Sequence, residues 1–453
     1  MLRVLFKDFD LVVTMDEKFG NIKGGYVLVE DNIIKYVGSV EPEVESVDRV
    51  IDGRGKVLLP GFVNTHHHLY QSLTRSIGAV SGAKLFDWLR FLYGVWRNID
   101  EEAVYVSAVV SIAEMMLSGV TTTTDHLYLV PEDNEAIFDA EIGAARLLGV
   151  RFHPTRGSMS LSVEDGGLPP RSVVQREDRI LEHTVSLIQK YHDASKYSML
   201  RIAVAPCSPF SVTETLMKES IKIADEYGVL LHTHLAETVD EDNYCMDRFG
   251  VRPVDYMQRL GWLREDVWFA HLVQLNEADI VKLSDAKVGM AHCPSSNMRL
   301  GSGIAPVVKM KDTGVKIGIA VDGSASNDTN NFIMEMRNAL LLQRVKYGAD
   351  SLMPEDVLKM GTVGGASVLH MDDYIGSISP QKAADIVAVR VDDIYHAGGQ
   401  DDLVASVLLC DTKGVEFSMI NGKIVIEGGA LLDVDLESFI RKHNQISKKL
   451  SSR

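Results

Sequence analysis

The chain is poor in basic charge. Its 46 Lys and Arg stand against 63 Asp and Glu, a formal charge of −17. Nucleic-acid backbones are held by clustered Lys and Arg, so no nucleic-acid partner is expected. The same deficit disfavours an anionic membrane surface. Cysteine is scarce: Cys207, Cys245, Cys293 and Cys410 lie far apart and form no C-x-x-C pair. A chain of 453 residues needs no disulfide staples, so reduced thiols and a cytoplasmic setting are expected. No run approaches the ~18 apolar residues of a membrane span. The opening MLRVLFKDFDLVV lacks the long apolar core and small-residue cleavage site of a secretory signal. There is no repeat of fixed period and no low-complexity tract. The 46% hydrophobic and 24% charged content is that of an ordinary globular protein.

What the chain does have is alternation. Residues 1–58 contain LRVLFK, DLVVTM, GYVLVE, NIIKYVG and DRVIDG, short β-rich segments broken by Gly, Asp and Asn. From Val57 eight apolar runs follow: VLLPGFVN, GVTTTTDH, VRFHPTR, LRIAVAPCSPF, VLLHTHLAE, VWFAHLV, KVGMAHCPSSN and KIGIAVDG, nearly all trailed by a helix-sized spacer. Repeated β–α alternation predicts a parallel sheet, and eight units predict a closed (β/α)8 TIM barrel. Apolar residues at both alternating positions fit strands buried on both faces. After residue 372 the β texture returns in GSISP, ADIVAVRV, VASVLL and VEFSMINGKIVIEGG, with Asn421-Gly422 as a hairpin turn. The expected architecture is α/β. A catalytic barrel spans 59–371, and a small β-sandwich-like domain forms from both termini, 1–58 and 372–453. A polar helix from about Asp435 to Lys449 ends the chain. The longest irregular stretch, Arg156 to Gln175, is expected to be a lid or binding loop.

The stretch LPGFVNTHHHL at 59–69 ends in His66 and His68. Side chains alternate along a strand, so both imidazoles project to one side, an arrangement that suits a zinc-like cation. An isolated H-x-H is common, but later runs also end in ligand-type residues: His232 and His234 with Glu237 beyond, His271, His292 and Asp322. Barrel chemistry sits at the C-terminal strand ends. Three imidazoles and a carboxylate, from His66, His68, His234 and Asp322, would hold one divalent ion with a position left for water. The ion is expected to be Zn²⁺, with Fe²⁺ and Mn²⁺ as alternatives. A bound metal lowers the pKa of water toward ~7. Glu237, three residues past His234, is placed to carry protons between that water and a leaving nitrogen. His271 would hold the water or polarise a substrate carbonyl. Such a site hydrolyses amides, amidines or aromatic C–NH₂ groups.

The pieces LPGFVNTHHHLYQ, SGVTTTTDH, HTHLAET, FAHLV, HCPSSNMRL and VDGSASND, in this order, resemble the amidohydrolase superfamily, within it the aromatic aminohydrolase and triazine hydrolase branch. PQKAADIVAV and INGKIV match its flanking β-domain. The resemblance implies His66, His68, His234 and Asp322 as metal ligands and Glu237 with His271 as the proton-handling pair, Asp322 also bonding the nucleophile. Binuclear relatives carry a carboxylated lysine at the end of the fourth strand. That strand here offers Cys207 and Ser208 and no lysine, which implies a single metal ion. TRGSMSLSVEDGGLPP, HTHLAETVDEDNYC and AHCPSSNMRLGSGIAPV are similar to the 8-oxoguanine deaminase group, so a deaminase yielding urate and ammonia is implied. Isoxanthopterin, guanine and S-adenosylhomocysteine deaminases, triazine aminohydrolases or chlorohydrolases, and an inactive barrel used only for binding stand as alternatives. A homo-oligomer is also implied. One departure is Gln381, where the family's P-G-K-x-A-D turn has glycine.

Other residues have two readings. His232 is a packing residue or a support behind the metal ligands, and His292 a structural residue or a similar support. Gln71, Trp88, Arg156, Cys207, Tyr244 and Cys245 are candidate substrate contacts. Three have a plain structural alternative: a solvated or capping Gln71, a core Trp88 and a loop ion pair for Arg156, while Cys207, Tyr244 and Cys245 are pocket-wall candidates. Ser324 and Asn327 would shape the loop after Asp322.

Overall fold

The computed structural model describes residues 2–452. Eight parallel strands occur in sequential spatial order: β1 (Phe62–Asn64), β2 (Val120–Leu127), β3 (Arg151–Ser158), β4 (Ala203–Pro206), β5 (Leu231–Leu235), β6 (Val267–His271), β7 (Gly289–His292) and β8 (Lys316–Ile319). Just past the strand ends β8 returns to β1, where Thr65 N donates to Ile319 O (3.1 Å) and Asp322 N to His66 O (3.3 Å). The sheet is a (β/α)8 barrel. Outward side chains such as Phe269, Met290 and Ile317 join the helices in one large core. The other face carries alanines 203, 270, 291 and 320, clustered with Val63 and Trp268. Trp268 is buried and its indole N–H donates to Thr65 O (3.0 Å).

The run at 57–64 is two strands. Lys56–Pro60 pairs antiparallel with Ile386–Arg390, and only Phe62–Asn64 enters the barrel. Gly61 makes the break: a Cβ there would lie 2.0 Å from Thr121 Oγ1, so only glycine passes this close to β2.

The terminal segments build a separate nine-stranded mixed sheet, in which Arg3–Val13 pairs with Asn21–Glu30, Arg49–Asp52 and Lys56–Pro60. Its core includes Phe6, Phe9 and Val27 from one end of the chain and Ile386 and Phe417 from the other. Phe6 meets Phe417 edge to face at 5.4 Å. Phe417–Ile420 and Lys423–Glu427 form a hairpin through Asn421 (φ 48°) and Gly422 (φ 81°), the left-handed pair of a two-residue turn. The apolar run at 404–409 is a helix, not a strand. Asp402 caps its first turn through Ala405 N (3.0 Å), and Val404, Val407 and Leu408 bury one helical face. No strand forms over 376–380. The closing helix, Leu436–Ser451, lies against the barrel side. Ser447 Oγ donates to Leu73 O (2.7 Å), and His443 Nε2 meets Ser72 Oγ at 3.0 Å. No helix of the described residues is long and apolar enough to cross a membrane.

A buried ion pair ties barrel to sheet. Arg151, on β3, donates Nε to Asp385 Oδ2 (2.9 Å) and Nη2 to Asp385 Oδ1 (3.1 Å), and both side chains are buried. Asp385 also accepts the N–H of Asn421 (2.7 Å) at the hairpin. Asp385→Ala, which strands the buried guanidinium, is expected to lower stability by about 3–5 kcal/mol in urea unfolding, and a loss below about 1 kcal/mol would contradict the assignment. Gln381 sits in the left-handed region (φ 71°). Its N–H and C=O are both engaged, with Ile34 O (2.9 Å) and the Tyr197 hydroxyl (2.6 Å), while its side chain is exposed. Gln381→Gly keeps both backbone bonds and relieves the strain, so a gain of about 0.5–1 kcal/mol is expected in the same assay, and a loss would contradict it.

Candidate metal centre and pocket

His66 and His68 lie just past the end of β1, at the C-terminal mouth of the barrel, with their rings 4.7 Å apart, and β5 adds His232 and His234 on one face. Backbone carbonyls fix which ring nitrogens carry protons. His68 Nδ1 lies 2.8 Å from His126 O, and His234 Nδ1 lies 2.7 Å from Cys207 O. A carbonyl only accepts, so each Nδ1 bears the hydrogen and each Nε2 keeps its lone pair. Those two Nε2 atoms face each other at 3.1 Å.

His66 is fixed through a relay. His232 Nδ1 donates to Trp268 O (2.8 Å), which leaves His232 Nε2 as the acceptor for His66 Nδ1–H (2.7 Å). His66 Nε2 is then buried with no hydrogen-bond partner. It lies 3.4 Å from Asp322 Oδ1, as does His68 Nε2. Ligand bonds of about 2.0–2.1 Å in a tetrahedral zinc site put neighbouring ligand atoms about 3.3 Å apart. The spacing, the facing lone pairs and the orphaned His66 nitrogen fit one divalent cation. Burial holds the imidazoles of His66, His68 and His234 below the usual histidine range, in the neutral form a cation needs. Burial alone would raise the Asp322 carboxyl. The His66 contact and the imidazoles around it outweigh that and hold it well below the usual range.

A fifth imidazole, His126, was not anticipated from the sequence. It ends the polar face Thr122, Thr124, His126 of β2, and its ring stacks on His234 at 4.9 Å. Its Nε2 bonds Ala205 O (3.0 Å), and its buried Nδ1 has no partner. The signal was present, because β2 also ends in a ligand-type residue. His232 stands behind His66. His292 follows Ala291, which shares a face with the inward Ala270, so alternation sends it to the outer side, where neither ring nitrogen has a partner.

The remaining groups reach the site through strained backbone. His271 (φ 76°) and Leu272 (φ 47°) are consecutive left-handed residues, and Asp322 has φ 61°. Plain alternation would put His271 on the outer face with Phe269. The left-handed turn brings its Nε2 to 3.6 Å from Glu237 Oε2 and 4.0 Å from Asp322 Oδ2. Its Nδ1 bonds Asn297 Oδ1 (3.0 Å), and Ser302 Oγ reaches Glu237 Oε1 at 3.4 Å. Burial raises the Glu237 carboxyl above its ordinary range, opposed by His271. Burial lowers His271, but the Glu237 and Asp322 carboxylates outweigh it, for a net rise. Asp322 accepts Gly323 N–H (2.6 Å) and the Ser326 hydroxyl (3.3 Å). Ser324 Oγ contacts Asn330, and Asn327 Nδ2 donates to Val321 O (2.5 Å), so both brace this loop.

A pocket opens over these groups. Gln71, Trp88 and Cys207 line it, with His68, His234, Glu237, His271 and Asp322. Trp88, Leu89 and Tyr93 come from one face of the helix Leu85–Trp96; with Tyr128, Phe210 and Leu300 they form an aromatic and apolar wall. Of these wall residues only Trp88 was singled out from sequence. Gln71 Oε1 and the Tyr93 hydroxyl are buried without partners. Burial pushes the Cys207 thiol up to about 12, so it is a neutral wall residue.

Three predicted contacts do not line the cavity. Arg156 belongs to β3, which continues to Ser158. Its guanidinium turns away, onto the Phe138 ring, His183 and Gln175. Tyr244 packs behind Phe210, its hydroxyl bonded to Gly166 O (2.9 Å). Cys245 is buried on the helix Val239–Phe249, outside the cavity.

His232→Phe removes the acceptor that fixes the His66 tautomer. It is expected to weaken zinc affinity about 10–100-fold in a chelator competition assay, and an unchanged affinity would show that His66 needs no such support.

Residues 57–427 match the amidohydrolase family. The chain is 43% identical to the 8-oxoguanine deaminase of Pseudomonas aeruginosa over 94% of its own length and 95% of that protein. It is 33% identical to the hydroxydechloroatrazine ethylaminohydrolase of Pseudomonas sp. strain ADP over 99% and 96% of the two chains. The crystal structure of an atrazine chlorohydrolase from Arthrobacter aurescens TC1, complexed with zinc, superposes with a TM-score of 0.94 at 30% identity and covers 98% of this chain and 100% of that one. The chain belongs to the amidohydrolase family and is a hydrolase of C–N bonds.

Proposed function

We propose that the chain is a metal-dependent aromatic aminohydrolase whose substrate is 8-oxoguanine and whose products are urate and ammonia. The observation that carries this reading is the Glu237–His271 pair, buried beside His66, His68, His234 and Asp322 beneath an aromatic wall. The 43% identity to an 8-oxoguanine deaminase supports the choice of substrate. His66, His68, His234 and Asp322 would hold one zinc ion, the metal that best suits three imidazoles and a carboxylate. Bound there, the ion supplies a Lewis acid that lowers the pKa of water toward about 7.

The chain's own groups do the rest. Trp88, Tyr93, Tyr128 and Phe210 sandwich a flat bicyclic ring and exclude water from it. The Gln71 amide bonds the ring's polar edge. Glu237 takes a proton from the attacking water as its oxygen bonds the amino-bearing carbon, then delivers a proton to the nitrogen as the C–N bond breaks and ammonia leaves. His271, held by Asn297, donates Nε2–H toward the developing charge on the reacting centre, and Asp322 bonds the incoming oxygen.

The test is ammonia release by zinc-loaded protein from 8-oxoguanine, guanine, isoxanthopterin, S-adenosylhomocysteine and hydroxyatrazine. Dominant turnover of 8-oxoguanine is expected, with Glu237→Gln slower by about 10²–10⁴-fold at unchanged zinc content. Turnover confined to another compound would overturn the substrate, and a fully active Glu237→Gln would overturn the proton carrier.

A further inference from the structure

The sequence Thr238-Val239-Asp240-Glu241 has the form of a capping box, in which the threonine caps a helix and the glutamate reaches back to the threonine N–H. The structure departs from that form. Thr238 does stand at the N-cap of the helix Val239–Phe249, yet its side chain makes no capping bond and its buried hydroxyl has no partner. Glu241 reaches past it. Oε1 accepts the N–H of Ala236 and Oε2 the N–H of Glu237, each at 2.9 Å.

A helix start does not require this. Exposed polar groups or water satisfy N-terminal amides, whereas Glu241 is fully buried, and burying a carboxyl is costly. Burial pushes it up to about 8 against the pull of the two amides. What it gains is a grip on two consecutive peptides. Ala236 lies in the left-handed region (φ 53°), which disfavours a residue with a Cβ. On the other side of the turn Ala236 O accepts the N–H groups of Val273 (2.9 Å) and Gln274 (2.8 Å), just past His271. The peptides that set the Cα–Cβ direction of Glu237 are therefore clamped between Glu241 and the segment following β6.

We propose that Glu241 is a positioning residue for Glu237: its two carboxyl oxygens hold the strained 236–237 turn that keeps the Glu237 carboxyl facing His271 Nε2. The proposal rests on the reading of Glu237 as the proton carrier. Glu241 touches neither substrate nor metal and acts only through the turn.

Glu241→Gln keeps the size but offers one acceptor, and turns an NH₂ toward a backbone N–H. In the zinc-loaded enzyme this variant is expected to keep its zinc content and KM while kcat falls about 10²-fold, the scale of an ångström-sized misplacement. Hydrogen exchange of a peptide covering 232–242 is expected to speed up, with other peptides unchanged. Because Glu241 acts through Glu237, the Glu237→Gln/Glu241→Gln double variant is expected to be no slower than Glu237→Gln. Wild-type kcat with unchanged exchange in Glu241→Gln would overturn the proposal. So would a double variant slower by the product of the two single losses. Exchange raised throughout the protein would also overturn it, marking a purely structural cap. Should Glu241→Gln not yield folded protein, Glu241→Asp takes its place with the same expected pattern. If Glu237→Gln itself retains full turnover, it is the reading of Glu237 that falls. The exchange of 232–242 still decides whether Glu241 holds the turn.

Discussion

Everything at the mouth of this barrel depends on lone pairs that face one another. His68 and His234 donate Nδ1–H to carbonyls, so their Nε2 atoms confront each other at 3.1 Å with no hydrogen between them. His66 adds a third, held by a relay through His232 to a backbone carbonyl, and Asp322 adds negative charge beside them. Without a cation such a cluster is repulsive and its polar atoms are unsatisfied. With one, the same geometry is a coordination shell. The fold's task is to hold that cluster rigid, and the strand hydrogen bonding and the Trp268 packing beneath it do so.

The chemistry around the cluster is delivered by a different device. Strand β5 places His232 and His234, and the segment leaving β1 places His66 and His68 without positive φ, whereas His271 and Asp322 occupy left-handed backbone, as does Ala236 next to Glu237. Each such residue costs of order 1–3 kcal/mol, and each is braced: His271 by Asn297, Asp322 by the Gly323 amide and Ser326, the Ala236–Glu237 turn by Glu241. Strand β5 and the segment leaving β1 provide the imidazoles of the cation site, and braced strain turns the proton-handling groups onto it.

This division explains what the sequence could and could not reveal. Apolar runs at βα spacing made the barrel legible, and period-two alternation made the His232–His234 pair legible, because both follow from local regularity; His66 and His68 do come together, but on the segment past β1 and not on a strand. Alternation could not foresee how His271 faces Glu237, since a positive φ breaks the period. It missed that Gly61 ends one strand and starts another, because the cause is Thr121 some 60 residues on. The helix at 404–409 looked like a strand because its short apolar run hides a capped turn. Arg156 read as a loop residue because β3 continues further than its apolar pattern. The Thr238–Glu241 spacing is that of a capping box, and the diversion of Glu241 onto the 236–237 turn is a tertiary fact that spacing does not show.

The central claim is that three imidazole nitrogens and one carboxylate oxygen form a cation site. Zinc-edge X-ray absorption on the zinc-loaded protein tests it most directly. The account predicts one zinc per chain with nitrogen and oxygen ligands at about 2.0–2.2 Å and no sulfur. A zinc–sulfur distance near 2.3 Å would place the ion on a cysteine such as Cys207 and contradict the account, as would zinc that washes away on dialysis.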